Sequence, residues 1–229
     1  MPFPDLPDRL RDVRDRIEAA VRRGGHGQQV TIVAVTKTHG PDAVQSAWDA
    51  GLADVGENRV QEALPKMDLV SAPVRWHLIG HLQRNKVKHL RRFDLLHALD
   101  SSRLAEAVDQ FGRESDGGRP IDALVQVNVV GEETKGGFPL ADVAAEADHL
   151  SKLTGVRVRG VMTMAPLDAD EATLRRVFAG AREARDRLRA AGHDATALSM
   201  GMSNDFEVAV EEGATYVRLG TILFGARPV

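Results

Sequence analysis

Short apolar runs alternate with amphipathic stretches along the 229-residue chain. The run at 30–35 is almost unbroken and rich in β-branched residues, which indicates a buried parallel strand. Each further apolar run is followed by helical spacing or by the end of the sequence; these runs begin near Asp54, Arg75, Leu95, Ile121, Val156, Ala197 and Tyr216. The pattern therefore predicts eight strand–helix units.

Eight such units within the length of one domain predict an α/β fold, a single (β/α)8 TIM barrel. A doubly wound open sheet is the alternative, although such sheets usually have fewer strands. Residues 5–23 predict an extra N-terminal helix, because Leu6, Leu10, Val13 and Ile17 share one face. The sequence has no linker, low-complexity tract or repeat. We therefore expect residues 1–229 to be one domain.

Composition narrows the classes of function. A net charge of −3 and a pI near 6.2 give no basic surface for nucleic acid or an anionic membrane. The absence of cysteine excludes disulfides, thiol catalysis and cysteine-ligated zinc. The N-terminus does not resemble a signal peptide, and no apolar run reaches the roughly 18 residues of a membrane span. We therefore expect a cytoplasmic protein.

A barrel of this type carries its functional residues at the carboxyl ends of the strands. Lys37 follows the first strand, and two interpretations of it are open. Its ammonium group reaches solvent where the strand ends, or it is partly desolvated and its amine attacks an aldehyde to form a Schiff base. Asn58, His77 and Met162 also lie at strand ends, but a turn former, a hydrogen-bonded core histidine and a core filler are simpler interpretations.

Two C-terminal loops predict an anion site. Residues 199–205 follow the seventh strand and residues 218–221 follow the eighth, and both are rich in small and hydroxyl residues. Loops at these two places frequently bind phosphate, because backbone N–H groups can point at the anion. Ordinary loop residues are the alternative interpretation. Since the eighth strand pairs with the first, Lys37 lies near this site, and a phosphorylated aldehyde such as pyridoxal 5′-phosphate would suit both.

Six motifs carry a family resemblance. They are Ala34–Thr38, Gly56–Glu62, Trp76–Lys86, Gly160–Met164, Leu198–Ser203 and Val217–Gly225. On these motifs, nearly the whole chain resembles the pyridoxal phosphate homeostasis proteins, which share the barrel of the alanine racemase N-terminal domain. The resemblance implies that pyridoxal 5′-phosphate is the cofactor and that Lys37 carries it as a Schiff base.

The resemblance also implies roles for residues near the C-terminus. Ser203 lies fifteen residues before Arg218, like the phosphate-binding serine and the ring-nitrogen arginine of alanine racemase. Gly220 and Thr221 would complete the phosphate site, and Ser199 and Gly201 are further candidates for it.

Two positions bear on a second lysine. The family often has a lysine two positions after the cofactor lysine, followed by proline, but this chain has His39 there, followed by Gly40 and Pro41. If that second lysine assists cofactor transfer, this chain has no lysine at position 39 to assist it. Lys135 matches another family lysine near the pocket, although a solvated loop lysine is the simpler interpretation.

The resemblance favours a carrier over an enzyme. Alanine racemases need a second domain that brings a catalytic tyrosine, whereas this sequence ends with the predicted barrel and has one tyrosine, Tyr216, inside the eighth strand. An arginine at the pyridine nitrogen cannot give up its proton, which leaves the ring a poorer electron sink. We expect a pyridoxal phosphate carrier or buffer, a monomer or weak dimer, with apo-enzymes as transient acceptors. A weakly active single-domain racemase is the alternative.

Overall fold

The computed structural model describes residues 2–132 and 136–225. Within these ranges the strands are β1 (Thr31–Val35), β2 (Asp54–Glu57), β3 (Arg75–Leu78), β4 (Leu95–Leu99), β5 (Ile121–Asn128), β6 (Phe138–Pro139), β7 (Val156–Met162), β8 (Ala197–Ser199) and β9 (Tyr216–Leu219). Eight of them form a ring in the order β4-β3-β2-β1-β9-β8-β7-β5, and pairing of β4 with β5 closes it. The predicted (β/α)8 barrel is confirmed. The short β6, which the sequence did not predict, adds to β5 outside the ring.

The α-helices are α1 (Leu6–Gly24), α2 (Pro41–Asp49), α3 (Val60–Leu69), α4 (Ser102–Glu114), α5 (Val143–Leu150), α6 (Glu171–Ala190), α7 (Phe206–Glu211) and α8 (Thr221–Phe224). The sequence pattern predicts a basic helix over residues 84–93, and the structure has a 3₁₀ helix, Arg84–Arg92, there instead. Its buried residues Val87 and Leu90 are three apart, which matches the 3₁₀ repeat. In the part of the chain that the structure describes, none of the helices is long and apolar enough to cross a membrane.

Residues 60–69 form the helix that their pattern predicts, but Pro65, which predicts an interruption or an early end of this helix, causes neither. The helix continues from Val60 to Leu69 with the proline inside it. Proline removes one backbone hydrogen bond from a helix, but Ala63 and Lys66 on either side of it are buried. Packing of these two residues therefore outweighs the local preference.

Apolar side chains pack on both faces of the strands. Because side chains alternate along a strand, β1 sends Ile32 and Ala34 into the large core between barrel and helices. Val33 and Val35 point into the barrel, where they pack with Ile79. This alternation decides which residues of each strand can reach the barrel interior.

The predicted N-terminal helix is present as α1 and packs against α7 and α8. Its buried face consists of Leu6, Leu10, Val13, Ile17 and Ala20. Arg16 Nη2 lies 2.7 Å from Glu207 Oε1, and Arg23 Nε lies 2.6 Å from Glu211 Oε1. The helix therefore covers the elements that flank the junction of β9 with β1.

Candidate functional site

Lys37 lies directly after β1 in a tight turn. His39 N donates to Thr36 O at 3.1 Å, and Thr38, between Lys37 and His39, has a φ of 69°. This positive φ is strained for a β-branched residue. Lys37 is half-buried and continues the inward row of Val33 and Val35. The turn thus presents the lysine at the carboxyl end of the barrel, as the sequence predicted.

His39 anchors this turn through aromatic contacts. Its ring centroid lies 5.4 Å from those of Phe3 and Phe224, and the two phenylalanine rings are 5.1 Å apart. The position where the family often has a second lysine is therefore an aromatic contact here. It joins the lysine turn to α8 and to the N-terminal segment.

The end of β1 is also held from outside the barrel by a buried ion pair of Glu57 and Lys66, which we call the glutamate pair. Thr36 bonds both of its members. Lys66 Nζ donates to Glu57 Oε1 at 2.5 Å and to Thr36 O at 2.9 Å. Thr36 Oγ1 donates to the same Glu57 oxygen at 2.6 Å. Glu57 is fully buried, and its Oε2 has no hydrogen-bond partner among the described residues. This cluster fixes the backbone immediately before Lys37.

Ser203, Gly220 and Thr221 meet beside the end of β1. A Cβ placed on Gly220 would lie 3.5 Å from Val35 Cβ, two residues before Lys37. Ile222 N donates to Ser203 Oγ at 3.4 Å, which ties the loop after β8 to α8. A hydroxyl that accepts a bond still has its proton to donate, and the Thr221 side chain is exposed. Hydroxyl donors beside a lysine suit a phosphorylated aldehyde, so the residues present fit pyridoxal 5′-phosphate.

Arg218 crosses the barrel interior beneath this rim. Its Nη1 donates to Ser199 Oγ at 2.6 Å, and its Nη2 donates to Thr163 O at 2.9 Å. Burial lowers the pKa of Arg218 to about 10, which still leaves the guanidinium protonated at neutral pH. The side chain is thus a fixed, charged donor at the position where the resemblance expects a contact with the cofactor ring.

A line of hydrogen bonds continues from Ser199 toward the other end of the barrel. His97 Nδ1 lies 2.8 Å from Ser199 Oγ, and His97 Nε2 lies 2.8 Å from His77 Nδ1. His77 Nε2 then lies 2.9 Å from Asp54 Oδ1. We call Arg218, Ser199, His97, His77 and Asp54 the arginine chain. Both ring nitrogens of His77 are engaged inside it.

Asp54 ends the arginine chain and meets solvent through Arg75. Arg75 Nε and Nη2 bind its two carboxylate oxygens at 2.8 and 2.5 Å. Burial opposes ionisation of Asp54, but hydrogen bonds from His77 and Arg75 outweigh it, so the pKa of this carboxyl lies below its usual value. Both residues line a cavity of about 680 Å³ between the starts of the strands and α1. The arginine chain therefore spans the barrel from end to end.

Three other predicted residues have different surroundings. Met162 is buried in an apolar cluster inside the barrel, and Asn58 is half-buried directly after β2, with its backbone against Gly80. Gly201 has a φ of 94°, and a Cβ there would lie 2.7 Å from Ala209 Cβ. Packing of the loop against α7 is thus enough by itself to require glycine at this position. Lys135 lies outside the described residues.

Four buried residues, Asp54, His97, Glu57 and Lys66, are not among the sites predicted from sequence. The available signal was a charged or imidazole side chain within a buried apolar strand, as in Leu95-Leu96-His97-Ala98-Leu99. At the rim, His81 Nδ1 lies 2.6 Å from Asp100 Oδ2. Ser101, the next residue, caps α4 by accepting from Leu104 N.

Comparisons with known proteins agree with this geometry. The family model described as "Alanine racemase, N-terminal domain" matches residues 9–228. The chain is 42% identical over 224 residues to the pyridoxal phosphate homeostasis protein of Aquifex aeolicus, which covers 96% of this chain and 97% of that protein. It is 40% identical to the protein of that name from Pseudomonas aeruginosa over 225 residues, covering 97% of this chain and 96% of that protein.

Solved structures give the same picture. PipY of Synechococcus elongatus with pyridoxal phosphate bound aligns with a TM-score of 0.84 at 37% identity, covering 96% of this chain and 100% of that chain. Its form without the cofactor aligns at 0.86 and 38%, with the same coverage. A D-threonine aldolase from Filomicrobium marinum aligns at 0.78 but at only 16% identity, over 96% of this chain and 60% of that one. This last likeness extends to the fold alone.

Proposed function

Because this chain belongs to the family of pyridoxal phosphate homeostasis proteins, we propose that it binds pyridoxal 5′-phosphate on Lys37 and carries or buffers this cofactor. The observation that carries the proposal is the convergence of three features at one end of the barrel. They are the half-buried Lys37, the hydroxyl loops beside β1 and the buried Arg218.

Each of these residues has a stated task. Lys37 Nζ would hold the cofactor covalently through the cofactor's aldehyde group. Ser203, Thr221 and the backbone at Gly220 would donate to the phosphate, while Arg218 would donate to the ring nitrogen. Asn58, Met162, Ser199 and Gly201 shape the walls around these contacts, and His77 acts from below through the arginine chain.

The position of Tyr216 favours a carrier over an alanine racemase. Bound pyridoxal phosphate would supply an electron sink for carbanions, and the sink is strongest when its ring nitrogen is protonated. Arg218 keeps its own proton and so cannot provide one, but alanine racemase has an arginine at the same place, so this contact does not separate the two functions. Tyr216 lies inside the barrel, with its ring centroid 5.8 Å from that of His77 and 5.9 Å from that of His97. Tyr216 lies two residues before Arg218 on β9. It is therefore further than Arg218 from the carboxyl end of the barrel and is not at the rim.

The first experiment changes Lys37 to alanine. Wild-type protein reduced with borohydride in the presence of the cofactor should carry an adduct on Lys37, and the variant should carry none while keeping its circular dichroism. Mass spectrometry of the peptides checks this. An adduct on another lysine of the wild type, with Lys37 unmodified, would refute the assignment.

The second experiment addresses the phosphate. Ser203→Ala and Thr221→Ala each remove a donor to a dianion, a charge-assisted bond worth about 1.5–3 kcal/mol. Each variant should bind pyridoxal phosphate roughly ten- to a hundredfold more weakly. Bare pyridoxal is the control ligand and should lose much less affinity. Equal losses for both ligands would mean that these hydroxyls do not contact the phosphate.

Weak racemase activity is the second candidate, and the His81–Asp100 pair at the rim favours it, since it places an imidazole near the cofactor end. Exchange of the α-proton of alanine in D₂O, followed by NMR, separates the two functions. We expect no useful exchange, but transfer of cofactor to an apo-enzyme in the same tube. Complete exchange within minutes that is lost in His81→Ala would favour the racemase.

Three expectations from the sequence remain predictions. A single domain over residues 1–229 should unfold in one cooperative transition. A cytoplasmic location should put the protein in the cytosolic fraction. A monomer or weak dimer should sediment as one chain at low concentration, and a stable larger assembly would refute this.

A further inference from the structure

The arginine chain has ends of opposite and fixed character. The Arg218 guanidinium can only donate hydrogen bonds, and an ionised Asp54 carboxylate can only accept them. Between them, Ser199 and the two histidines can each do both. The direction of every intermediate hydrogen bond therefore depends on the two ends.

Starting from Asp54, the protons can be assigned one by one. Asp54 Oδ1 accepts from His77 Nε2–H, so the Nδ1 of a neutral His77 has no proton and must accept. His97 Nε2–H is the group that faces it, which leaves His97 Nδ1 as an acceptor in turn. That nitrogen faces Ser199 Oγ, so the Ser199 hydroxyl donates to His97.

Starting from Arg218 gives the same direction for each hydrogen bond. Ser199 Oγ receives a hydrogen bond from Arg218 Nη1, and its own proton is free for His97. The opposite tautomer of His97 would point Nδ1–H at Ser199 and set two unprotonated nitrogens, His97 Nε2 and His77 Nδ1, 2.8 Å apart. Both histidines and Ser199 are buried, so such an unpaired contact would not be solvated.

Protonation of His97 would reverse its hydrogen bond with Ser199, because Nδ1 would then be a donor. Burial lowers its pKa well below the ordinary value, and the charge of Arg218 acts in the same direction. Tyr216 packs against both imidazoles, and among the described residues Asp54 is the one carboxylate that bonds either ring. A neutral His97 with its proton on Nε2 is the state that pairs both of its ring nitrogens and the Ser199 hydroxyl.

We propose that the arginine chain is a one-directional hydrogen-bond wire, in which Asp54, His77, His97 and Ser199 are positioning residues that hold the Arg218 guanidinium for the cofactor ring. The part that concerns the cofactor rests on the proposed function. The wire makes the carboxylate at one end of the barrel the support for the cation near the other end. Arg75 holds that carboxylate from the solvent side.

The first test needs no cofactor. NMR of the protein with ¹⁵N-labelled histidine distinguishes the two neutral tautomers from each other and from imidazolium. At pH 7 we expect both His77 and His97 to carry their single proton on Nε2. A proton on Nδ1 of either ring, or a charged ring, would overturn the wire.

The second test compares two buried aspartates. Asp54→Asn keeps an acceptor for His77 but removes the charge. Asp109→Asn is the matched control, because Asp54 and Asp109 are 7% and 8% exposed and their arginine partners Arg75 and Arg113 are 58% and 53% exposed. Asp109 lies on α4 and bonds Gly155 N, apart from the arginine chain.

We expect Asp54→Asn to weaken pyridoxal phosphate binding on the order of tenfold, the size that loss of an outer hydrogen-bond partner has at metal sites, and to shift its visible absorption band. Asp109→Asn should do neither. Equal behaviour of the two variants would overturn the positioning role. If the wild type binds no cofactor, the proposed function fails instead, and the tautomers alone then decide the wire.

Discussion

The arginine chain and the glutamate pair are both buried polar clusters, but they lie on opposite faces of the barrel wall. The chain runs inside the barrel, whereas the pair lies between β2 and α3 on the outside. In the chain, the hydrogen bonds that join Arg218, Ser199, His97, His77 and Asp54 all run in a single direction. In the pair, Glu57 Oε1 takes both bonds and Oε2 takes none.

This difference indicates different tasks. The inner cluster fixes the direction of a side chain, Arg218, and needs complete pairing because one reversed bond would disturb all the others. The outer cluster fixes a stretch of backbone, since Lys66 bonds the carbonyl of Thr36 next to Lys37. Backbone placement needs only one strong contact. The inner cluster should therefore be sensitive in binding, and the outer one in stability.

The largest effect on stability should come from Lys66→Met. It leaves the Glu57 carboxylate buried without a cation, which typically costs about 3–5 kcal/mol. The double variant Glu57→Gln/Lys66→Met removes both charges and should recover most of this loss. Denaturant unfolding measures both. A loss below about 1 kcal/mol for the single variant would mean that solvent reaches Glu57.

Ser199→Ala should come next. It removes the acceptor of Arg218 and the donor to His97 together, and an unsatisfied buried group costs about 1–3 kcal/mol. Ser46→Ala, at another buried serine, is the control and should cost less. Unlike Lys66→Met, Ser199→Ala should also weaken cofactor binding. A variant that loses stability but keeps full affinity would argue against the distinction between the two clusters.

His97 should make stability depend on pH. Its folded-state pKa is depressed, so below the ordinary value of about 6.5 the unfolded chain binds a proton that the folded protein does not. The free energy of unfolding should then fall by up to about 1.4 kcal/mol for each pH unit of acidification. His97→Asn should flatten this slope between about pH 6.5 and 5. An unchanged slope would contradict a neutral, buried His97.

Arg75→Gln should have the smallest effect. Arg75 pairs with Asp54 as Lys66 pairs with Glu57, but its side chain is 58% exposed and that of Lys66 only 7%. Exposed ion pairs contribute about 0–1 kcal/mol, and water can replace the lost contact. Denaturant unfolding beside Lys66→Met gives the direct comparison. Equal losses for both variants would show that burial does not separate the two clusters.

The places of Lys37, Ser203 and Arg218 along the barrel could be predicted from sequence, whereas the residues that support them could not. Lys37 and Ser203 follow apolar runs and Arg218 lies in one, and strand alternation together with the family motifs indicates where they lie. The contact of Asp54 with His77 depends on the register of β2 against β3, where Gly56 lies opposite His77. A local pattern carries no information about register. The two-residue β6 likewise has too few residues to produce a periodic signal.

The junction of β1 with β9 has a consequence for synthesis of the protein. Its partners, such as Thr31 and Tyr216, are far apart in the sequence, so the ring cannot close until β9 has left the ribosome. Until then β1 has an unpaired edge, which is where nascent chains aggregate. Lys37 and Arg218 lie on the two sides of this last seam. A cofactor that contacts both would bind only the closed ring and, at a hundredfold excess over its dissociation constant, would favour closure by about 2.7 kcal/mol.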